Sequence, residues 1–181
     1  MSTSTYSIVL FFHFLGLIGL FIGYGMEWAT SALLRQASTA DQARSWLKVY
    51  RVSLPVSGPA LLLLIATGGY LAAQVGGMKL GWITATWVGI VLALGIGFGL
   101  ILPRVRGIRN ALTVGNAALS TDALARLRDP LLATLIRVRF CLAVGIVYLM
   151  TAKPIFEQGL IALFIAIVAG LAVSIPSWSR S

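Results

Sequence analysis

The sequence predicts an all-α protein that crosses a membrane about five times. Hydrophobic residues make up 59% of the 181 residues and charged residues only 10%, whereas soluble domains carry about 25% charged residues. The apolar residues also form continuous runs, unlike the short alternating segments of a membrane β-barrel. We therefore predict a single polytopic helical bundle without a separate soluble domain.

The first apolar run, residues 6–26, carries no charged side chain. At 1.5 Å of rise per residue, its length of about 21 residues covers the roughly 30 Å hydrocarbon core of a bilayer. The segment before it lacks the basic residues of a signal peptide, because the first positive residue is Arg35. We expect this run to be retained as a transmembrane helix.

Four further apolar runs complete the predicted bundle, and prolines mark their boundaries. A helix tolerates proline in its first turn and usually ends before the residue that precedes one. Pro55 and Pro59 lie near the predicted start of the second span, and Pro103, Pro154 and Pro176 are predicted to end the other three. The predicted spans cover residues 54–73, 82–102, 131–151 and 155–175.

The distribution of basic residues predicts the orientation. The loop between spans one and two and the loop between spans three and four carry most of the 14 lysines and arginines. The opposite loops carry only Lys79 and Lys153. Because loops rich in Lys and Arg stay on the cytoplasmic side, we predict the N-terminus outside and the C-terminus inside. The basic loops are expected to contact anionic lipid head groups, and no nucleic acid is expected as a partner.

Each basic loop is predicted to contain an amphipathic cytoplasmic helix, at about residues 39–52 and 121–129. Apolar residues in the first recur at i, i+3, i+4 and i+7 beside a basic stripe. Serine and threonine residues at the start of both segments can cap these helices. Two placements stay open: the plane of the lipid head groups, or packing against the inner ends of the bundle.

Glycines at four-residue spacing predict close helix packing in two of the spans. Gly19 and Gly23 form such a pair in the first span, and Gly95 and Gly99 form another in the third. Small residues let the backbones of membrane helices approach each other. We expect these glycines at helix contacts; the alternative is that they make room for a flat cofactor.

His13, the only histidine of the chain, is the candidate cofactor-binding residue. It lies within the first span, where a polar side chain is costly unless it finds a partner. Imidazole can serve as an axial haem ligand, a metal ligand or a proton carrier. A lone histidine does not build a zinc or copper site, whereas haem needs one strong protein ligand, so haem b is the candidate cofactor. The alternative is a structural histidine, hydrogen-bonded to a neighbouring backbone group or serine.

Four other charged residues lie in or beside the predicted spans. Glu27 is predicted at the membrane level where Arg137 and Arg139 enter the fourth span. An ion pair between helices fits this placement, but snorkelling of these side chains to the head groups is the expectation. Lys153 ends the fourth span and is expected to interact with its helix dipole. The sequence shows no nucleophile–base pair, carboxylate pair, phosphate loop or Cys/His cluster, so neither catalysis nor a protein-held metal is expected.

Three segments of the chain resemble a family of small bacterial integral membrane proteins, the DUF2269 type. They are FFHFLGLIGLFIG at 11–23, LPVSGPALLLLIATGGYL at 54–71 and VYLMTAKP at 147–154. This family is similar to the copper-resistance D membrane domain and to membrane-bound protoporphyrinogen oxidase. The resemblance implies the bacterial inner membrane, copper handling or haem-linked redox chemistry, and a first-helix histidine at the position of His13.

The predicted function is that of a non-catalytic inner-membrane protein that binds haem, or contacts a redox partner, through His13. One alternative is a structural or accessory subunit of a larger membrane complex, with His13 satisfied internally. A small transporter is the third, and it ranks lower because the sequence shows no charged site at mid-membrane and no clearly broken helix.

Overall fold

The computed structural model describes residues 3–113 and 119–178, and these residues are almost entirely helical. The described part contains no β-strand, and five of its helical stretches are long and apolar enough to cross a membrane. The prediction of an all-α bundle with five helical stretches long and apolar enough to cross a membrane is therefore confirmed.

Seven α-helices follow one another along the described chain. A π-helical segment, Gly95–Ile101, joins the third of them to the fourth without a break, and a short 3₁₀ turn, Gly77–Lys79, precedes the third. The helices are α1 Thr3–Gln36, α2 Ala40–Val75, α3 Gly81–Leu94, α4 Leu102–Thr113, α5 Thr121–Leu127, α6 Pro130–Ala152 and α7 Phe156–Trp178.

Helix α2 joins the predicted amphipathic segment and the second predicted span in one helix of 36 residues. The Thr39 side chain caps its start by accepting a hydrogen bond from the Gln42 N–H. Pro55 and Pro59 lie inside this helix, so their expected placement in a first turn is wrong. At about 54 Å, α2 is longer than the roughly 30 Å hydrocarbon core of a bilayer.

The proline rule correctly predicts only one of three helix ends. Helix α6 stops at Ala152, and Lys153 closes it in the left-handed conformation with a φ of 49°. The predicted end at Pro103 is wrong, because the path continues through the π segment into α4. Proline crowds the carbonyl four residues earlier, here inside the wider turns of the π segment. The predicted end at Pro176 is also wrong, since α7 runs to Trp178.

The spans pack as two antiparallel helix pairs. Helix α1 packs along α2, helix α6 packs along α7, and α3 lies against α6 and α7. An added Cβ at Gly23 would lie 2.6 Å from the Cβ of Ser57, so the first glycine pair does mark the α1–α2 contact. The expectation for the third span is wrong, because a Cβ at Gly95 or Gly99 would meet no atom within 4 Å.

The bundle has two chemically different ends. The histidine end comprises residues 5–24, 61–75, 81–94 and 143–156, and the basic end comprises residues 27–53, 95–112, 121–139 and 170–178. Apolar residues of α4, α5 and the first half of α2 share one buried cluster at the basic end, which includes Tyr50, Ile108 and Leu127. Both segments predicted as amphipathic helices therefore pack against the bundle in this structure.

Candidate functional site

A cavity of about 390 Å³ lies between the helix pairs at the histidine end. Its walls come from the first half of α1, the last turns of α2, helix α3 and the last turns of α6. Most lining side chains are aliphatic or aromatic, with Phe14, Trp82 and Trp87 among them. Such an apolar pocket with a few polar groups is typical of a site for a small molecule or cofactor. The polar side chains that line it are Tyr6, His13, Tyr24, Thr86, Thr151 and Lys153.

His13 projects from α1 into the wall of this cavity and is 8% exposed. Its Nδ1 atom lies 2.9 Å from Oγ1 of Thr67 on α2. The same Oγ1 lies 2.6 Å from the Leu63 carbonyl and donates its single hydrogen there. Thr67 is therefore an acceptor towards His13, and we assign the imidazole proton to Nδ1. In neutral imidazole this leaves Nε2 with a free lone pair.

The residue after Thr67 makes room for the imidazole ring. A Cβ added to Gly68 would lie 3.0 Å from Cε1 and 3.5 Å from Nδ1 of His13. Helix α2 thus holds the Nδ1–Cε1 edge of the ring with two consecutive residues. The Nε2 atom makes no hydrogen bond to the residues that the structure describes. It is left available to a ligand in the cavity.

A buried ion pair lies on the side of the cavity that faces the basic end. Tyr24 lines the cavity, and the guanidinium of Arg139 sits 4.3 Å from the centre of its ring. Arg139 on α6 forms a salt bridge with Glu27 on α1, and Glu27 is only 1% exposed. The expectation that these side chains snorkel to the head groups is therefore wrong. Because α1 packs against α6, the two charged groups meet inside the bundle.

The π segment provides the space for Arg139. A Cβ added to Gly97 would lie 2.7 Å from Nη1 of Arg139. A Cβ at this position would therefore require the end of the Arg139 side chain to move. The glycine that the sequence places between Gly95 and Gly99 is thus the one with a structural role here.

The four charged residues that the sequence singled out lie in three different places relative to His13. Lys153 lines the same cavity, with its Nζ atom 6.0 Å from the centre of the Trp82 ring. Glu27 on α1 and Arg139 on α6 lie closer to the basic end than Tyr24 does. Arg137 belongs to neither group, since it donates to the Ser177 hydroxyl at the basic end.

Sequence reasoning missed Thr67, the residue that orients His13. Its hydroxyl is the only polar side-chain group between Ala60 and Gly69, and that isolation in an apolar run was the available signal. Its partnership with His13 depends on how α1 and α2 align, which spacing along the chain does not give.

The described residues contain no group of three or more His, Cys, Asp or Glu side chains able to hold a metal ion. Haem sets a smaller requirement, because one or two axial ligands such as histidine nitrogen and methionine sulphur suffice. His13 and Met150 both line the cavity. Its apolar walls and the free Nε2 atom therefore fit haem better than a metal ion held by protein ligands alone.

Comparison with protein-family profiles, with curated proteins and with solved structures finds no match to this chain.

Proposed function

We propose that this chain is a non-catalytic membrane protein that binds haem b in the cavity at the histidine end, with His13 as an axial ligand. The proposal depends on two distances at the Thr67 hydroxyl, 2.9 Å to Nδ1 of His13 and 2.6 Å to the Leu63 carbonyl, from which we assign the imidazole proton to Nδ1. Thr67 accepts from Nδ1, so the Nε2 lone pair remains for iron. Iron-ligating histidines characteristically donate their other ring N–H in this way, which fixes the ring and its tautomer.

Other lining residues fit the remaining parts of a haem molecule. The aromatic and aliphatic walls suit the macrocycle, and Lys153 offers a cation to a propionate carboxylate at the ends of the helices. Met150 is a second candidate ligand from α6. Bound haem would supply one-electron redox chemistry, and the chain itself would hold the group, orient it and exclude water. This role agrees with the resemblance noted at 11–23, which stays a prediction.

An absorption spectrum of the protein in mild detergent tests this proposal. We expect the purified chain, produced with haem supplied, to show a Soret band that shifts on reduction with dithionite. The band should disappear in His13→Ala and persist in Phe14→Leu, which alters an apolar part of the cavity wall. A colourless wild-type protein, or a band unchanged by His13→Ala, would rule out His13 as the haem ligand.

The Thr67 hydrogen bond also favours a second candidate function, an accessory subunit of a membrane complex in which His13 is purely structural. In that case, His13→Ala would lower stability and subunit co-purification without any loss of pigment. Comparing the melting temperature and the spectrum of the same variant separates the two functions.

We further propose that the protein lies in the bacterial inner membrane with its N-terminus outside and the basic end in the cytoplasm. The concentration of arginines at that end supports this orientation. Fusions to the C-terminus test it: a fluorescent protein that matures only in the cytoplasm should be active, and alkaline phosphatase should be inactive. The reverse pattern would contradict the orientation.

A further inference from the structure

Two arginines converge on one serine at the basic end. Arg35 on α1 donates from Nη2 to the Ser177 carbonyl at 2.6 Å. Arg137 on α6 donates from Nη1 to the Ser177 hydroxyl at 3.0 Å. Ser177 belongs to the last turn of α7. Helices α1, α6 and α7 thus bring two positively charged side chains to the same residue.

No carboxylate neutralises this pair among the residues that the structure describes. The four ion pairs there use other arginines, namely Arg44, Arg104, Arg126 and Arg139. Asp129 is close enough to act electrostatically on Arg35. However, one of its oxygens accepts from the Leu131 N–H and the other pairs with Arg104. Among the described residues, no carboxylate therefore makes an ion pair with either arginine, and the two cations repel each other.

Each of the two arginines also has a buried donor atom without an acceptor. Nη1 of Arg35 and Nε of Arg137 are shielded from solvent and make no hydrogen bond. Buried donors in folded proteins are normally paired, and each exception requires an explanation. Two unpaired donors and two guanidinium groups without an ion-pair partner show that the described residues leave this cluster short of acceptors and of negative charge.

The surroundings indicate which anion would fit this cluster. Trp28 lies against Arg137, with 5.8 Å between the guanidinium carbon and the ring centre. Trp178 bonds to Thr134 through its indole N–H and is 54% exposed. Tryptophans in such positions mark the level of the lipid head groups. The neighbouring surface of α7 is apolar, with Ile175 67% exposed, so it would accommodate acyl chains.

We propose that Arg35 and Arg137, held beside each other by Ser177, form a binding site for the phosphate group of an anionic phospholipid. The forked guanidinium groups match the geometry of phosphate oxygens. The head group supplies the negative charge that the described residues lack at this place, and its acyl chains lie along α7. This site is independent of the cavity at the histidine end and of any haem bound there.

Lipid binding to the purified full-length protein tests the proposal. We expect phosphatidylglycerol to raise the melting temperature in detergent more than phosphatidylcholine does. In Arg35→Gln/Arg137→Gln the affinity for phosphatidylglycerol should fall about tenfold or more, because charge-assisted hydrogen bonds are lost. The matched control is Arg106→Gln/Arg109→Gln, which removes the same charge from exposed positions at the same end. The control should retain the binding.

Three results would overturn the proposal: equal effects of the two lipids, equal losses in the test and control variants, or full stabilisation by inorganic phosphate alone. The last would indicate a free-anion site in place of a lipid site. If the double variant does not fold, native mass spectrometry of the wild type decides. Preferential retention of one phosphatidylglycerol over phosphatidylcholine supports the site, and no preference overturns it. Arg137→Lys, which keeps the charge but loses the fork, should show an intermediate affinity.

Discussion

Helix α1 buries both His13 and Glu27, and the surroundings of these two side chains differ. His13 faces a cavity and uses one ring nitrogen for Thr67, whereas Glu27 is enclosed and paired with Arg139. The two residues are separated by fourteen positions, or about 21 Å. A neutral imidazole is tolerated at an open site, while a charge within the membrane needs a complete partner. The contacts of His13 leave its Nε2 atom available to a ligand. The Glu27–Arg139 pair joins α1 to α6 and leaves no charge for a ligand.

The largest expected effect comes from breaking the closed site. Glu27→Gln leaves the Arg139 charge buried without its partner, which typically costs about 3–5 kcal/mol. Unfolding in mixed detergent micelles measures this change in the free energy of unfolding. The double variant Glu27→Leu/Arg139→Met should cost less than Glu27→Gln alone. If the single variant costs under about 1 kcal/mol, as exposed pairs do, the ion pair is not buried as described.

A smaller loss is expected when the space for Arg139 is filled. Gly97→Ala places a Cβ 2.7 Å from Nη1 of Arg139 and displaces the guanidinium, at a cost of about 1–3 kcal/mol. Gly99→Ala is the matched control, because its Cβ meets no atom within 4 Å. That control should be neutral or slightly stabilising, since alanine favours helix more than glycine does. Equal melting temperatures for the two variants would contradict the role of Gly97.

At the open site, Thr67→Val should affect binding more than stability. Losing one acceptor for Nδ1 costs about 0.5–1.5 kcal/mol of stability, while losing the orienting partner of a ligating histidine typically costs about 10–100-fold in affinity. Haem titration and thermal unfolding of the same variant measure both quantities. Unchanged haem affinity with reduced stability would show that Thr67 supports the fold alone.

The smallest effect is expected at the edge of the imidazole ring. Gly68→Ala brings a Cβ to 3.0 Å from Cε1 of His13, so the ring must shift by a few tenths of an ångström. We expect a severalfold loss of haem affinity and little change in melting temperature. Gly58→Ala on the same helix is the control, because its Cβ has no atom within 4 Å and it does not line the cavity. Equal haem affinities for both variants would mean that the ring position does not limit binding.

The sequence predicts the two regions to different extents. Continuous apolar runs are sufficient to predict five spans, because spanning length is set by the bilayer. His13 stands out as the only histidine, and a lone polar group in a span is visible without a structure. The Glu27–Arg139 pair is not, since it depends on the rotation of α1 relative to α6. A charged residue near a span end fits both snorkelling and pairing, and only tertiary packing decides between them.

The helix ends show the same limit. Pro154 coincides with a helix end because Lys153 adopts the left-handed conformation. Pro103 follows a π segment, and the glycines of that segment were interpreted as packing residues. The rule that a helix ends before a proline assumes regular α-helical turns before it. Here the turns before Pro103 are π-helical, and Gly97 within them leaves space for Arg139. The deviation from the proline rule thus occurs beside a buried charged side chain.

The central claim, that His13 offers Nε2 to a haem iron, is tested most directly by chemical rescue. Haem-free wild type and His13→Gly are titrated with haem, with and without free imidazole, and the Soret band is recorded. We predict that wild type binds haem, that His13→Gly does not, and that imidazole restores the band in the variant. Haem binding by His13→Gly without imidazole, at an affinity equal to wild type, would contradict the account.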